Sequence, residues 1–158
     1  MTDQLSLLAD QPGPTLVLLS LQPEYMAQVR SGSKRYEYRR VYRKDRTVAF
    51  IYENQPVGAV TAAIDFRQPI IAEPSEIGRL ADEVLPGSAQ GILEYMEGLA
   101  LGYAIPIECW TDVSPMTRAD LRRVHPTFAP PQSYVVLQNF PPLRDRLLKG
   151  LPHGWLDR

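Results

Sequence analysis

TLVLLSLQPEYMAQVRSGSKRYEYRR (residues 15–40) holds the run of elements that decides the fold. Residues 15–22 form a short Leu- and Val-rich run ended by Pro23, the pattern of a buried strand. PEYMAQVRSG (23–32) has proline at the first helical position, Tyr25, Met26 and Val29 on one side, and Gly32 as a stop, which predicts a short helix. KRYEYRRVY (34–42) then alternates. A second strand is expected there, with Tyr36 and Tyr38 on a core face and Arg35, Glu37 and Arg39 on a polar face. The charges leave two readings open: a solvated strand edge, or the wall of a cleft that holds an anion.

Outward from that stretch, RTVAFIYENQPVGAVTAAIDF (46–66) reads as two strands around an ENQP turn, with Gly58 marking close packing or a bulge. SEIGRLADEVL (75–85) spaces Ile77, Leu80, Ala81, Val84 and Leu85 along one helical face. AQGILEYMEGL (89–99) is a second helix after a PGS break, and LGYAIPIECWTDV (101–113) returns to strand character. PMTRADLRRV (115–124) reads as a helix led by Pro115, SYVVLQ (133–138) as the last strand, and PPLRDRLLKG (141–150) as a terminal helix. The tail LPHGWLDR (151–158) is expected to fray unless Trp155 packs down. The order predicts an α+β fold, a small mixed β-barrel of five or six strands with flanking helices. One domain is expected over 15–150, with a helical insertion near 74–100 and an N-terminal extension over 1–14.

Composition bounds the function. With 158 residues, 44% apolar and 22% charged, the chain suits a single globular core. No apolar run is long enough to span a membrane, and the N-terminus lacks a secretory pattern, so a cytoplasmic protein is expected. The single cysteine, Cys109, excludes a disulfide within this sequence and a multi-thiolate zinc site. With only His125 and His153, neither a transition-metal centre nor a His-based catalytic triad is expected, and no cofactor is expected either. The net charge of −1 hides a segregation: residues 30–46 carry eight cations against Glu37 and Asp45, while the rest of the chain is acidic. Such a segment makes a local field able to gather polyanions.

The order strand, Pro-led helix, then Gly32-Ser-Lys34-Arg-Tyr-Glu37-Tyr-Arg39 resembles the G-x-K-x-x-E-x-R signature of ASCH domains, which are small PUA-like β-barrels. PMTRADLRRVHPTFAPPQSYVVL (115–137) resembles the closing part of a subgroup labelled predicted transcriptional regulators. The resemblance implies a cleft walled by Lys34, Glu37 and Arg39 that binds RNA, a nucleotide or a nucleoside. Arg40, Arg43, Lys44 and Arg46 are then expected to meet backbone phosphate, and Ser20, Gln132 and Ser133 to line a polar rim. Since Lys34 and Glu37 are three apart, both reach one cleft only if Lys34 lies in the Gly32 turn or a bulge resets the alternation.

Some ASCH-like proteins are amidohydrolases of acetylated cytidine nucleosides. In that pattern a signature lysine activates a threonine three residues on, helped by a downstream glutamate. Here Lys34 matches, but Glu37 stands at the threonine position; Glu76, Glu94 and Glu108 are possible downstream acids. A Lys34–Glu37 pair orienting a water is the catalytic alternative. Asp65, Glu53 and Glu108 are weak ligands for a nuclease cation. A DNA-reading helix pair at 75–99 is disfavoured because no Lys or Arg occurs between Arg79 and Arg118. That acidic pair suits protein contact better.

Overall fold

The opening stretch folds as strand β1 (Thr15–Leu21), helix α1 (Pro23–Ser31) and strand β2 (Tyr36–Arg39) in the computed structural model, which describes residues 13–158. Most of the expected 1–14 extension lies outside the described residues. Pro23 starts α1, and Gly32 ends it at φ 81°, a left-handed conformation that favours glycine. The chain continues through β3 (Thr47–Glu53), β4 (Ala59–Phe66), β5 (Ile70–Ala72), α2 (Pro74–Val84) and α3 (Ala89–Tyr95). It closes with β6 (Gly102–Thr117), α4 (Arg118–Arg122), β7 (Tyr134–Val136) and α5 (Pro141–Leu148).

The sheet runs β2–β6–β4–β3–β1–β7 and curls into a half-barrel, with β5 paired to β6 off that path. β1 and β3 are parallel, with α1 and β2 in the crossover; the other pairings are antiparallel. The expected mixed α+β architecture is therefore present.

Three local differences have physical causes. β5, with three residues, is too short to show alternation and was not expected. β6 runs on through Pro115 and Met116, where a helix start was expected. A register shift between the Val60–Met116 and Ala62–Asp112 pairs holds Pro115 out of the regular ladder. The helix then begins at Arg118, because Thr117 Oγ1 accepts from the Asp120 N–H at 3.2 Å while the Asp120 carboxylate accepts from the Thr117 N–H at 2.9 Å. The tail does not fray: Trp155 is buried in the main core.

β1 and β3 bury both faces, which is why they read as continuous apolar runs. Leu16, Leu18, Val48 and Phe50 face a core shared with Leu121 of α4, Leu143 and Leu147 of α5, and Trp155. Val17, Leu19, Ala49 and Ile51 face Met26 and Val29 of α1. α1 is also tied down by charge. Arg30 pairs with Asp112 at 3.0 Å and with the buried Glu53 at 3.4 Å, and Glu53 accepts from Thr61 Oγ1 at 2.5 Å. A third cluster of Ile77, Met96 and Ala104 lies under α2 and α3, with Tyr36 and Tyr38 packed against it.

Candidate functional site

The turn after α1 places the first functional side chain. Lys34 N–H donates to the Gln28 carbonyl at 3.1 Å, so Lys34 is still in the turn and β2 begins two residues later. Strand alternation therefore does not separate it from Glu37. Lys34 Nζ lies 3.3 Å from Glu37 Oε1, while Arg39 donates to Glu37 Oε2 from Nη2 at 2.9 Å and from Nε at 3.1 Å. Arg39 Nη2 also donates to the Ser20 carbonyl at 3.2 Å, linking β2 to the end of β1.

The tyrosine face of β2 packs against the third apolar cluster as expected, but the face expected to be polar is not solvated. Glu37 is the buried residue, 6% exposed, whereas Tyr36 and Tyr38 are half-buried beneath the helix pair. Two cations compensate the carboxylate, which makes its burial tolerable. The tyrosines meet a helical layer that strand alternation does not reveal. Lys34 Nζ lies 5.3 Å from the Tyr25 ring centroid and 5.2 Å from that of Tyr38, within range of both π faces.

These groups wall a cavity of about 610 Å³, a size suited to a small organic ligand. Ser20 at the end of β1, Tyr25 of α1 and Asn54 just past β3 add polar and aromatic surface; Val84, Ile92 and Tyr95 supply an apolar wall from the helix pair. The Ser20 Oγ is buried and has no hydrogen-bond partner among the described residues. The helix pair is fixed in place from two sides. Arg40 Nη1 donates to the carbonyls of Tyr95 at 2.7 Å and Glu97 at 3.2 Å, and Asp82 Oδ1 accepts from the N–H groups of Gly87 and Ala89.

Burial pushes the Tyr38 phenol up to about 12, with Tyr36 and Glu37 adding to the rise. Burial also takes Tyr42 to about 12, against a hydrogen bond with Thr47 and the field of Arg39, which both lower it. A raised phenol favours the folded state below the ordinary tyrosine value of 10.0, and that contribution is lost as pH climbs through 12. Absorbance titration at 295 nm is expected to show two phenols ionising near 12, one missing in Tyr38→Phe and the other in Tyr42→Phe. Ionisation of both near pH 10 in the folded protein contradicts the burial described.

The remaining expected residues lie elsewhere. The 40–46 loop leads to the start of β3, at the far end of a seven-residue strand from Asn54, or roughly 20 Å from the cavity at ~3.3 Å per residue. Arg43 pairs there with Asp45 at 2.8 Å, Arg46 pairs with Asp65 at 2.7 Å, and Lys44 is exposed. Arg40 clasps α3, and Arg43, Lys44 and Arg46 sit at the opposite end of the sheet, so the phosphate contact expected of this loop would lie apart from the cavity. Gln132 and Ser133 are exposed and precede Tyr134, which pairs with Leu19, so they stand near the cavity end of β1 but outside its lining.

The acids weighed for catalysis are also engaged elsewhere. Glu53 is held by Arg30, Asp65 by Arg46 and Arg158, Glu108 by Arg67, and Glu76 by Arg79. Neither these nor Glu94 line the cavity, and no metal-binding cluster occurs among the described residues. Sequence reasoning missed Asn54 and the helix-pair wall. Asn54 reaches the site only because β3 lies parallel to β1, a pairing that local pattern does not encode. The helix wall includes Leu85, expected on the apolar face of its helix and found 65% exposed at the cavity.

No family model matches the chain, and no curated protein matches it. Solved structures do. The ASCH protein from Zymomonas mobilis aligns with a TM-score of 0.73 at 22% identity, covering 85% of this chain and 94% of that one. A serine-to-alanine mutant of that protein gives 0.75 at 21% identity, covering 87% and 97%, and a tyrosine-to-phenylalanine mutant gives 0.73 at 21%, covering 85% and 97%. This likeness shows the fold: the chain has the architecture of an ASCH domain, a PUA-like barrel.

Proposed function

We propose that the chain is an ASCH-type binding domain that takes one base of single-stranded RNA, or a nucleotide, in the cavity around Lys34, Glu37 and Arg39. The observation that carries this reading is the buried Glu37 carboxylate, held between two cations in the wall of a cavity of about 610 Å³. A carboxylate oxygen has two lone pairs, so Glu37 retains capacity to accept from a base N–H after its contacts with Lys34 and Arg39. The ring of Tyr25 offers a stacking surface in the cavity wall. The trio carries one net positive charge, which suits an anionic ligand.

Binding is favoured over hydrolysis by the same geometry. The threonine position of the amidohydrolase pattern is Glu37, and the unpartnered Ser20 hydroxyl has no base against it to activate it. No helix among the described residues is long and apolar enough to cross a membrane, and a cytoplasmic role with RNA is part of the proposal.

Calorimetric titration with short single-stranded RNA tests it. Lys34→Ala is expected to weaken binding about tenfold, the scale of one hydrogen bond to a charged group. Arg43→Ala with Lys44→Ala is expected to leave affinity within about twofold, since both lie beyond reach of the cavity. Absence of RNA or nucleotide binding at low salt, or indifference to Lys34→Ala, sinks the reading.

A further inference from the structure

The cavity does not end at Lys34. A second recess of about 450 Å³ continues from it, between the Gly32 turn and the end of α2 at Glu83–Leu85. The two share Gln28, Ser33, Arg35, Val84 and Leu85 as lining, so a ligand in the first can extend into the second without leaving the surface.

Arg35 sets the chemistry of this recess. Of the cations at the cavity, Lys34 and Arg39 are both engaged by Glu37, whereas the Arg35 side chain makes no ion pair or hydrogen bond among the described residues. Its backbone is nonetheless fixed, since the Arg35 carbonyl accepts from the Ile107 N–H at 3.0 Å. The guanidinium is therefore exposed and bonded to no partner among the described residues, on a rigid base. Its planar fork matches a phosphate better than a point charge does. The Ser33 hydroxyl lines the same recess, tethered to Ser31 Oγ at 3.0 Å. Glu83 lies on the opposite wall and repels an anion, which confines a phosphate to the Arg35 and Ser33 side.

We infer that this recess is a phosphate subsite, and that the ligand is a single-stranded oligonucleotide whose base enters the cavity while the adjoining phosphodiester rests against Arg35. The inference rests on the reading of the cavity as a base site. It adds a residue at an unspecified position of the G-x-K-x-x-E-x-R signature and names the ligand class, a polynucleotide rather than a free nucleoside.

The test titrates the four ribonucleosides, their 5′- and 3′-monophosphates and the four homo-tetranucleotides against the whole chain, in wild type, Arg35→Ala and Arg35→Lys. A phosphate is expected to raise wild-type affinity about tenfold over the nucleoside, the scale of one charge-assisted contact. Arg35→Ala should erase that gain, so that nucleoside and monophosphate bind the variant equally, and Arg35→Lys should retain part of it. The slope of log affinity against log salt for the tetranucleotide should flatten by about 0.7 in Arg35→Ala, one phosphate contact on a single strand. Nucleoside binding with no phosphate gain, or a gain that survives Arg35→Ala, overturns the subsite and leaves the base cavity standing. Failure of every nucleoside and oligonucleotide to bind overturns both.

Discussion

Glu37→Ala is expected to destabilise the fold by about 3 kcal/mol, the scale for breaking a buried ion pair by removing one partner, a drop of roughly 8 °C in Tm for a chain of this size. The change leaves Lys34 and Arg39 facing one another, with side chains only 11% and 17% exposed and no anion between them. Neither can turn fully to water: Arg39 is also bonded to the Ser20 carbonyl, and Lys34 is held over two tyrosine rings. Binding of RNA or nucleotide should be lost with it. Glu37→Gln keeps the shape but removes the charge, and should lie between wild type and Glu37→Ala in stability. Thermal and urea denaturation measure both. A loss below about 1 kcal/mol in Glu37→Ala, the value of an exposed pair, restores the alternative that this strand is merely a solvated edge.

Trp155→Ala should cost about 3 kcal/mol, as expected for truncating a large aromatic in a packed core. Trp155 is 9% exposed and packs with the cluster that includes Leu16, Phe50 and Leu147. It also carries Arg158, whose guanidinium lies 3.9 Å from the indole centroid and donates to the buried Asp65 at 3.2 Å. Arg46 remains on Asp65 at 2.7 Å when Arg158 is removed, so Arg158→Ala alone should cost less than about 1 kcal/mol. Neither change should alter ligand affinity, because neither residue lines the cavity. Chemical denaturation gives the numbers. A cost under about 0.5 kcal/mol for Trp155→Ala, the range of ordinary surface changes, means that the tail is not part of the core.

The two predictions differ in what the sequence could reveal. The Lys34–Glu37–Arg39 trio lies within six residues, and a local turn at Gly32 suffices to bring the lysine onto the carboxylate. That much is readable, because a glycine at positive φ and a strand of period two are local facts. The burial of Glu37 is different. It follows from β2 closing against the end of β1, where Arg39 links the Glu37 carboxylate to the Ser20 carbonyl, 19 residues earlier in the chain. The basic segment shows the same divide. Its charge was visible, but not that Arg43 meets Asp45 at the far end of the sheet, nor that Arg46 meets Asp65 on β4. Trp155 was ambiguous for a related reason: a lone aromatic in a polar tail is core or surface according to what happens to lie opposite.

By itself the sequence determined the helices and every strand but the short β5, in order, and that a lysine, an acid and an arginine share one segment after a tight turn. Proline, glycine and hydrophobic period act within a few residues, so those features survive without knowledge of the rest of the chain. Tertiary structure alone decided that the acid is buried, that the helix pair walls the cavity, that Asn54 joins it, and that Arg43 and Arg46 of the basic loop are neutralised away from it. Each of these depends on a contact between segments far apart in the chain, such as β1 with β3, Arg40 with Tyr95 and Arg46 with Asp65. The free energy of such contacts depends on three-dimensional proximity, and local pattern carries no record of it.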